Sequence, residues 1–176
     1  METTRSIIEI ENDIAQYFGV RENIIVPNVS WGFFKTHEAD MVVISRSGYL
    51  TEIEIKRAWS DFLADFKKNT NHYEGKVDKL YYCVPDCIYD KVLYHLTHDV
   101  DWDKYGFKRK VGQFPCEKIP CGIITFKDNG CLEIRNVARE ISYYFNMNHN
   151  DYKLYVEEML AIARLGTMRY WKNVMK

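Results

Sequence analysis

Two β-branched-rich runs separated by Arg46-Ser47-Gly48 constrain this chain more than any other feature of its 176 residues. Residues 41–45 (Met-Val-Val-Ile-Ser) and 49–55 (Tyr-Leu-Thr-Glu-Ile-Glu-Ile) read as adjacent antiparallel strands. A three-residue loop with Gly48 in the left-handed position closes such a hairpin. This loop pairs Ser45 with Tyr49, and counting back sets Asp40 opposite Glu54 and Glu38 opposite Lys56. Strand side chains alternate between faces, so Asp40, Val42 and Ile44 share one face with Leu50, Glu52, Glu54 and Lys56. Met41, Val43, Ile53 and Ile55 form the other, fully apolar face. A two-residue loop would break the parity and turn Asp40 away from Glu54.

Like charges set directly opposite each other destabilise a sheet. The pairing of Asp40 with Glu54 therefore predicts a cation held between them. Oxygen-only ligands suit a hard divalent ion, Mg²⁺ or Mn²⁺. Lys56, two residues beyond Glu54 on the same face, would stand beside water bound to that ion. The competing expectation is a solvated strand end with a Glu38–Lys56 ion pair and nothing bound.

The first helix is expected from about Thr4 to Phe18, closed by Gly19. Its apolar stripe is Ile7, Ile10, Ile14, Tyr17 and Phe18, and Glu11 falls inside that stripe. A carboxylate aimed at a core needs a partner, which makes Glu11 the candidate third acid. A strand over about Asn23–Val29 precedes the hairpin. The aromatics of Trp31-Gly32-Phe33-Phe34 are expected to cover the core or to stack on bases. After Lys56, Trp59, Phe62, Leu63 and Phe66 mark a helix to about Lys68, with Ser60 or a neighbour as cap and Asp65, Lys67 and Lys68 projecting elsewhere. Residues 79–85 read as a buried strand ended by Pro85, followed by a helix over about 86–96.

Residues 98–120 look irregular and carry the basic run Lys108-Arg109-Lys110, a candidate for phosphate contacts together with Lys67 and Lys68. Lys127-Asp128-Asn129-Gly130 signals a second hairpin between the runs 121–126 and 131–135. A last helix is expected over about 151–174. Leu154, Met159, Leu160, Ile162, Ala163 and Trp171 would be its packing surface, and Arg164, Arg169 and Lys172 its basic side. This succession predicts an α/β fold: a mixed central sheet flanked by helices, in a single domain spanning 1–176, with a core over about 5–140 and the C-terminal helix.

A formal charge of −1 gives no global attraction to nucleic acid, so any such contact must come from local patches. No apolar run reaches membrane-spanning length, and no leader is expected. Five cysteines without a secretory leader point to reduced thiols and a cytoplasmic setting. Zinc at Cys83 and Cys87 with His95 and His98 is disfavoured by Pro85 between the cysteines and by the lack of compact four-ligand spacing. No Gly-x-Ser-x-Gly elbow or Gly-rich phosphate loop is present.

Asp40, thirteen intervening residues and then Glu54-Ile55-Lys56 resemble the signature of the PD-(D/E)XK nuclease superfamily, whose core is restriction-endonuclease-like. Further features narrow the resemblance to the MmcB-like DNA-repair endonucleases. They are Ala39-Asp40, Asp61-Phe62, Asp65 with Lys67, Asp78 through Tyr82 leading to Val84-Pro85, Pro120-x-Gly122-Ile-Ile and Gly130-x-Leu132. The resemblance covers roughly residues 5–140. It implies Mg²⁺-dependent hydrolysis of phosphodiester bonds in DNA, with Asp40 and Glu54 holding metal, Lys56 assisting the water, and Glu11 as the acid from the first helix. The chain departs from the MmcB-like pattern at Lys68, where a tryptophan is usual, and in extra residues between 97 and 120. DNA against RNA, and one copy against a homodimer, stay open at this point. The rival expectations are a nucleic-acid-binding module that no longer cuts, and an interaction protein using Trp31–Phe34 or the last helix.

Overall fold

The computed structural model describes residues 3–30, 34, 37–67, 72, 76–105, 107, 119–140 and 148–175. Six strands form one mixed sheet in sequential order: β1 (Ile24–Val29), β2 (Ala39–Ile44), β3 (Leu50–Ile55), β4 (Val77–Pro85), β5 (Gly122–Phe126) and β6 (Leu132–Asn136). β1–β2–β3 is an antiparallel meander, β3–β4 and β4–β5 are parallel, and β5–β6 is a hairpin. Helices flank both faces, as the sequence predicts. Among the described residues no helix is long and apolar enough to cross a membrane.

The expected register of the first hairpin is observed. Val42 faces Glu52 and Ile44 faces Leu50, Ser45 N–H donates to Tyr49 O at 3.0 Å, and Gly48 has φ +87°. That left-handed backbone at the turn is what permits the three-residue closure.

The first helix, α1, runs Ile7–Phe18, three residues shorter at its start than expected. Ser6 stops it: its hydroxyl accepts from Glu9 N–H while the Glu9 carboxylate accepts from Ser6 N–H, a reciprocal cap. Ile10 and Ile14 press onto Met41, Val43, Ile53, Ile55, Tyr81, Cys83, Ile124 and Phe126, forming an unbroken apolar layer on one side of the sheet.

The other side is divided. The C-terminal helix, here α4 (Val156–Val174), places Ile162 with Leu154, Tyr152 and Phe34 over Val26, Val42, Ile44, Leu50 and Val77. Helices α2 (Trp59–Lys67) and α3 (Tyr89–Tyr94) place Phe62 and Val92 over Leu80, Tyr82, Val84 and Ile123. The central part of β3 lies between these two apolar clusters, carrying Glu52 and Glu54 on this divided face.

Several boundaries differ from expectation. α2 starts at Trp59, so Ser60 lies inside it rather than capping it. Asp61 accepts the Arg57 N–H at 3.1 Å and ties down the helix entry. The helix expected over 86–96 is a 3₁₀ turn (Asp86–Ile88), then α3, then a π-helical turn (His95–Asp99). α4 begins at Val156 instead of about 151: residues 149–152 form a separate 3₁₀ turn, and Lys153 to Tyr155 break away from helical geometry where Leu154 N–H bonds to Gly48 O at 2.8 Å. Leu160 and Trp171 are exposed, so they do not belong to the packing surface expected of them.

Candidate active site

Asp40 and Glu54 lie on the same face, as the register requires. The backbone pairing of β2 with β3 stops at Met41–Ile53, and the two carboxylates take over from it. Ile55 N–H donates to Asp40 Oδ2 at 2.8 Å, and Asp40 N–H donates to Glu54 Oε1 at 3.4 Å. Each acid thus satisfies a backbone donor of the other strand's end, which fixes both side chains in place.

Lys56 is buried, and its Nζ donates to Glu54 Oε2 at 2.8 Å and to Asp65 Oδ1 at 3.0 Å. The solvated Glu38–Lys56 pair is not formed. Glu38 is exposed and instead meets Arg169, which also donates to Pro27 O. Asp65 corrects the expectation that it projects away. Three residues after Phe62 and next to Phe66, it falls on the inward stripe of α2 and is buried.

Sequence reasoning missed two histidines. His72 Nδ1 meets Glu52 Oε1 at 2.8 Å, and its Nε2 meets Asp65 Oδ2 at 2.9 Å. His37 Nε2 reaches the same Glu52 oxygen at 2.9 Å. Tyr82 donates its hydroxyl to Asp65 Oδ2 at 3.2 Å. Glu52 shares the parity of Glu54, so its direction was readable from the hairpin. Neither histidine carries any periodicity, because both lie outside regular elements.

The electrostatics follow from burial. Burial is the largest influence on Glu54 and pushes its carboxyl up to about 7; the Lys56 charge opposes this and the Asp40 charge adds to it. Asp40 is also raised by burial, against the Lys56 charge and the Ile55 N–H. Glu11 is half-buried on the helix that covers the opposite face. Its carboxyl is raised by burial and then by the Asp40 charge, while Asn28 donates to it at 3.5 Å.

Glu52 and Asp65 behave oppositely. Burial would raise both, but hydrogen bonds and charge from the histidines hold Glu52 below its ordinary value. His72 and then Lys56 hold Asp65 well below the carboxylate range. Burial alone would discharge His72; its bonds to Asp65 and Glu52 and the surrounding acids raise it to about 10 instead. Lys56 is raised in the same way by Glu54 and Asp65.

Among the described residues, three sets of three donors gather within 4.8 Å of one another: His37, Glu52 and His72; Glu54, Asp65 and His72; and Asp78, Glu140 and His149. Asp40 and Glu11 belong to none of these sets. They remain linked to Glu54 through the Asp40–Glu54 contact and the fields just described. Glu11, Asp40 and Glu54 each have a carboxyl raised first by burial, and the Asp40 charge adds to the rise at Glu11 and at Glu54. Mutual repulsion of oxygen donors is thus the feature a hard divalent ion would relieve, although the three do not gather within 4.8 Å of one another.

Lys67 is exposed in the last turn of α2. Lys68, Lys108, Arg109 and Lys110 lie outside the described residues, as do Trp31, Gly32 and Phe33. Phe34 is buried in the α4 cluster, with its ring 4.6 Å from that of His37. Cys83 is buried in β4 and its thiol pushed up by burial, whereas Cys87 is exposed, so the two do not converge on one site.

No family model matches the chain, and no curated protein matches it. Among solved structures it is similar to the SPO1766 protein of unknown function from Silicibacter pomeroyi. The two are 13% identical with a TM-score of 0.53, over 94% of this chain and 86% of that one. At that identity the likeness is one of fold.

Proposed function

We propose that the chain is a metal-dependent nuclease of the PD-(D/E)XK type that hydrolyses phosphodiester bonds in DNA. The observation that carries this reading is the convergence of Asp40, Glu54 and Lys56 at one end of the β2–β3 pair, with Glu54 buried and its carboxyl raised to about 7. Asp40 and Glu54 would hold Mg²⁺ or Mn²⁺, with Glu11 as the third acid. A divalent ion there supplies polarisation of a phosphoryl oxygen and a more acidic bound water. Lys56 commits two of its three N–H donors to Glu54 and Asp65, which leaves one for the attacking water or a phosphate oxygen. Its ammonium also offsets negative charge developing on the phosphate. A cytoplasmic setting belongs to the same proposal, supported by the free state of the four described cysteines.

The test is Mg²⁺-dependent cleavage of DNA by wild type, Asp40→Asn and Glu54→Gln, with folding checked by circular dichroism. Both near-isosteric variants are expected to lose cleavage by about 100-fold or more, as removal of one transition-state group commonly does. Wild-type cutting by both removes the proposal.

One observation favours a second reading, a nucleic-acid-binding module that no longer cuts. Lys56 and His72 neutralise the buried acids from within, so the cluster can persist as architecture without an ion. DNA retention that falls steeply with salt but ignores EDTA would select it.

A further inference from the structure

Beside the acids assigned above, a second donor set of different chemistry is buried. Glu52 is 0% exposed, and the side chains of His37 and His72 are 3% and 9% exposed. Both ring nitrogens that face Glu52 converge on the same oxygen, Oε1, at 2.9 and 2.8 Å. The second oxygen, Glu52 Oε2, is buried without a hydrogen-bond partner among the described residues, and so is His37 Nδ1. A fully buried carboxylate oxygen left bare costs about 1–3 kcal/mol, and a cation ligated there would remove that cost.

We propose that His37, Glu52 and His72 form a binding site for a borderline first-row divalent ion, Zn²⁺ foremost, distinct in its donors from the hard-ion site at Asp40 and Glu54 and adjoining it, with His72 Nδ1 3.7 Å from Glu54 Oε1. Two imidazoles and one carboxylate are a recurrent zinc donor set, and nitrogen donors select against Mg²⁺. The surroundings match such a site as well. His72 presents Nδ1 to Glu52 while its other nitrogen is held by Asp65 Oδ2, so a carboxylate fixes the ring's orientation behind the ligating atom. Asp65 is fixed in turn by Lys56 and Tyr82. The overlapping set of Glu54, Asp65 and His72 is the weaker candidate, because Lys56 already occupies both of its carboxylates.

An ion at His37, Glu52 and His72 would fasten the residue ahead of β2 and the residue beyond α2 across β3. Its role would be to hold the chain segments that border the acid site. The enclosure of all three donors fits this better than direct contact with a substrate.

The experiment loads the chelator-treated full-length chain with Co²⁺ and follows the visible d–d absorption, with Zn²⁺ added as competitor. Wild type is expected to give an intense band of low-coordinate cobalt that Zn²⁺ bleaches. His37→Ala is expected to lose the band and to bind Zn²⁺ more than about 100-fold more weakly, since even partners behind a ligand are worth about 10–100-fold. Asp40→Asn is expected to keep the band. A silent wild type, a band that survives in His37→Ala, or one lost in Asp40→Asn overturns the inference. If His37→Ala fails to fold, wild-type crystals soaked in Zn²⁺ decide: an anomalous peak among the three side chains supports the site, and a peak elsewhere or none refutes it. A chain that shows the cobalt band yet cuts no DNA keeps this inference and loses the nuclease; a cutting chain without the band does the reverse.

Discussion

Replacing Lys56 by methionine removes the ammonium and keeps most of the side-chain volume. Lys56 Nζ lies 2.8 Å from Glu54 and 3.0 Å from Asp65, and all three side chains are at most 7% exposed. Deleting one partner of such a buried pair costs about 3–5 kcal/mol, chiefly because a charge is left without compensation. Two local features place this case at the lower end. Glu54 already sits near 7 and can take up a proton, and Asp65 keeps His72 and Tyr82. The expected loss is therefore about 3 kcal/mol. For a chain of this length each kcal/mol lowers Tm by about 2–4 °C, which gives a fall of about 6–12 °C at pH 7. Thermal unfolding by circular dichroism measures it, and the double variant with Glu54→Gln supplies the control. Glutamine removes the stranded charge, so the double variant should regain part of the loss, with a coupling of about 1–3 kcal/mol. A Tm within about 2 °C of wild type would refute the reasoning, as would strictly additive losses.

In the metal-free chain, stability should also respond to pH in a direction to which three groups contribute most plainly. Glu54 and His72 both have folded values above their unfolded ones, so the fold binds more protons and loses stability as pH rises, from about 4.3 to 7 for Glu54 and from about 6.5 to 10 for His72. Asp65 has a lowered value, so its contribution is present above about 3.9 and is lost as pH falls below that. Urea midpoints are therefore expected to be highest near pH 5 and to decline toward pH 9. Glu54→Gln should flatten the part of that decline below pH 7, and an unchanged slope there would discount the assigned role of Glu54. At Gly122, an added Cβ would lie 2.3 Å from the Tyr81 ring and 2.6 Å from the Ala138 backbone nitrogen. Gly122→Ala is expected to destabilise by about 1–3 kcal/mol; an unchanged Tm would show that this end of β5 yields more easily than the packing implies.

The hairpin was legible because three local signals agree: the β-branched runs, Gly48 at the turn, and an odd loop length that fixes parity. From these, the shared face of Asp40 and Glu54 follows before any tertiary contact is known. The second hairpin was readable for similar reasons, from the turn signal at Lys127-Asp128-Asn129-Gly130 between two apolar runs, whereas the sequence reading went no further than a mixed sheet for the pairing of the other strands. Asp65 was misread because its charge was taken to mean exposure, whereas its place on the α2 stripe is what decides its direction. His37 and His72 were invisible for a different reason. They act through long-range proximity to Glu52, and nothing in the local sequence specifies such a contact. The start of α4 was set too early because a 3₁₀ turn over 149–152 precedes it, and the break at Leu154 is made by a long-range bond to Gly48 that local sequence does not specify.

The division of one sheet face into two apolar clusters has a consequence for how the molecule can respond. Phe34, Leu154 and Ile162 belong to one cluster, while Phe62, Val92 and Ile123 belong to the other. Between them, ionic and hydrogen-bonding contacts on β3 act as a seam, backed by the continuous layer under α1. Changing the charge state of that seam would loosen the seating of α2 relative to α4 while the sheet stays whole. Chemistry at Glu52, Glu54 and Lys56 is thereby coupled to the contact between two helical flanks as well as to the stability of the fold.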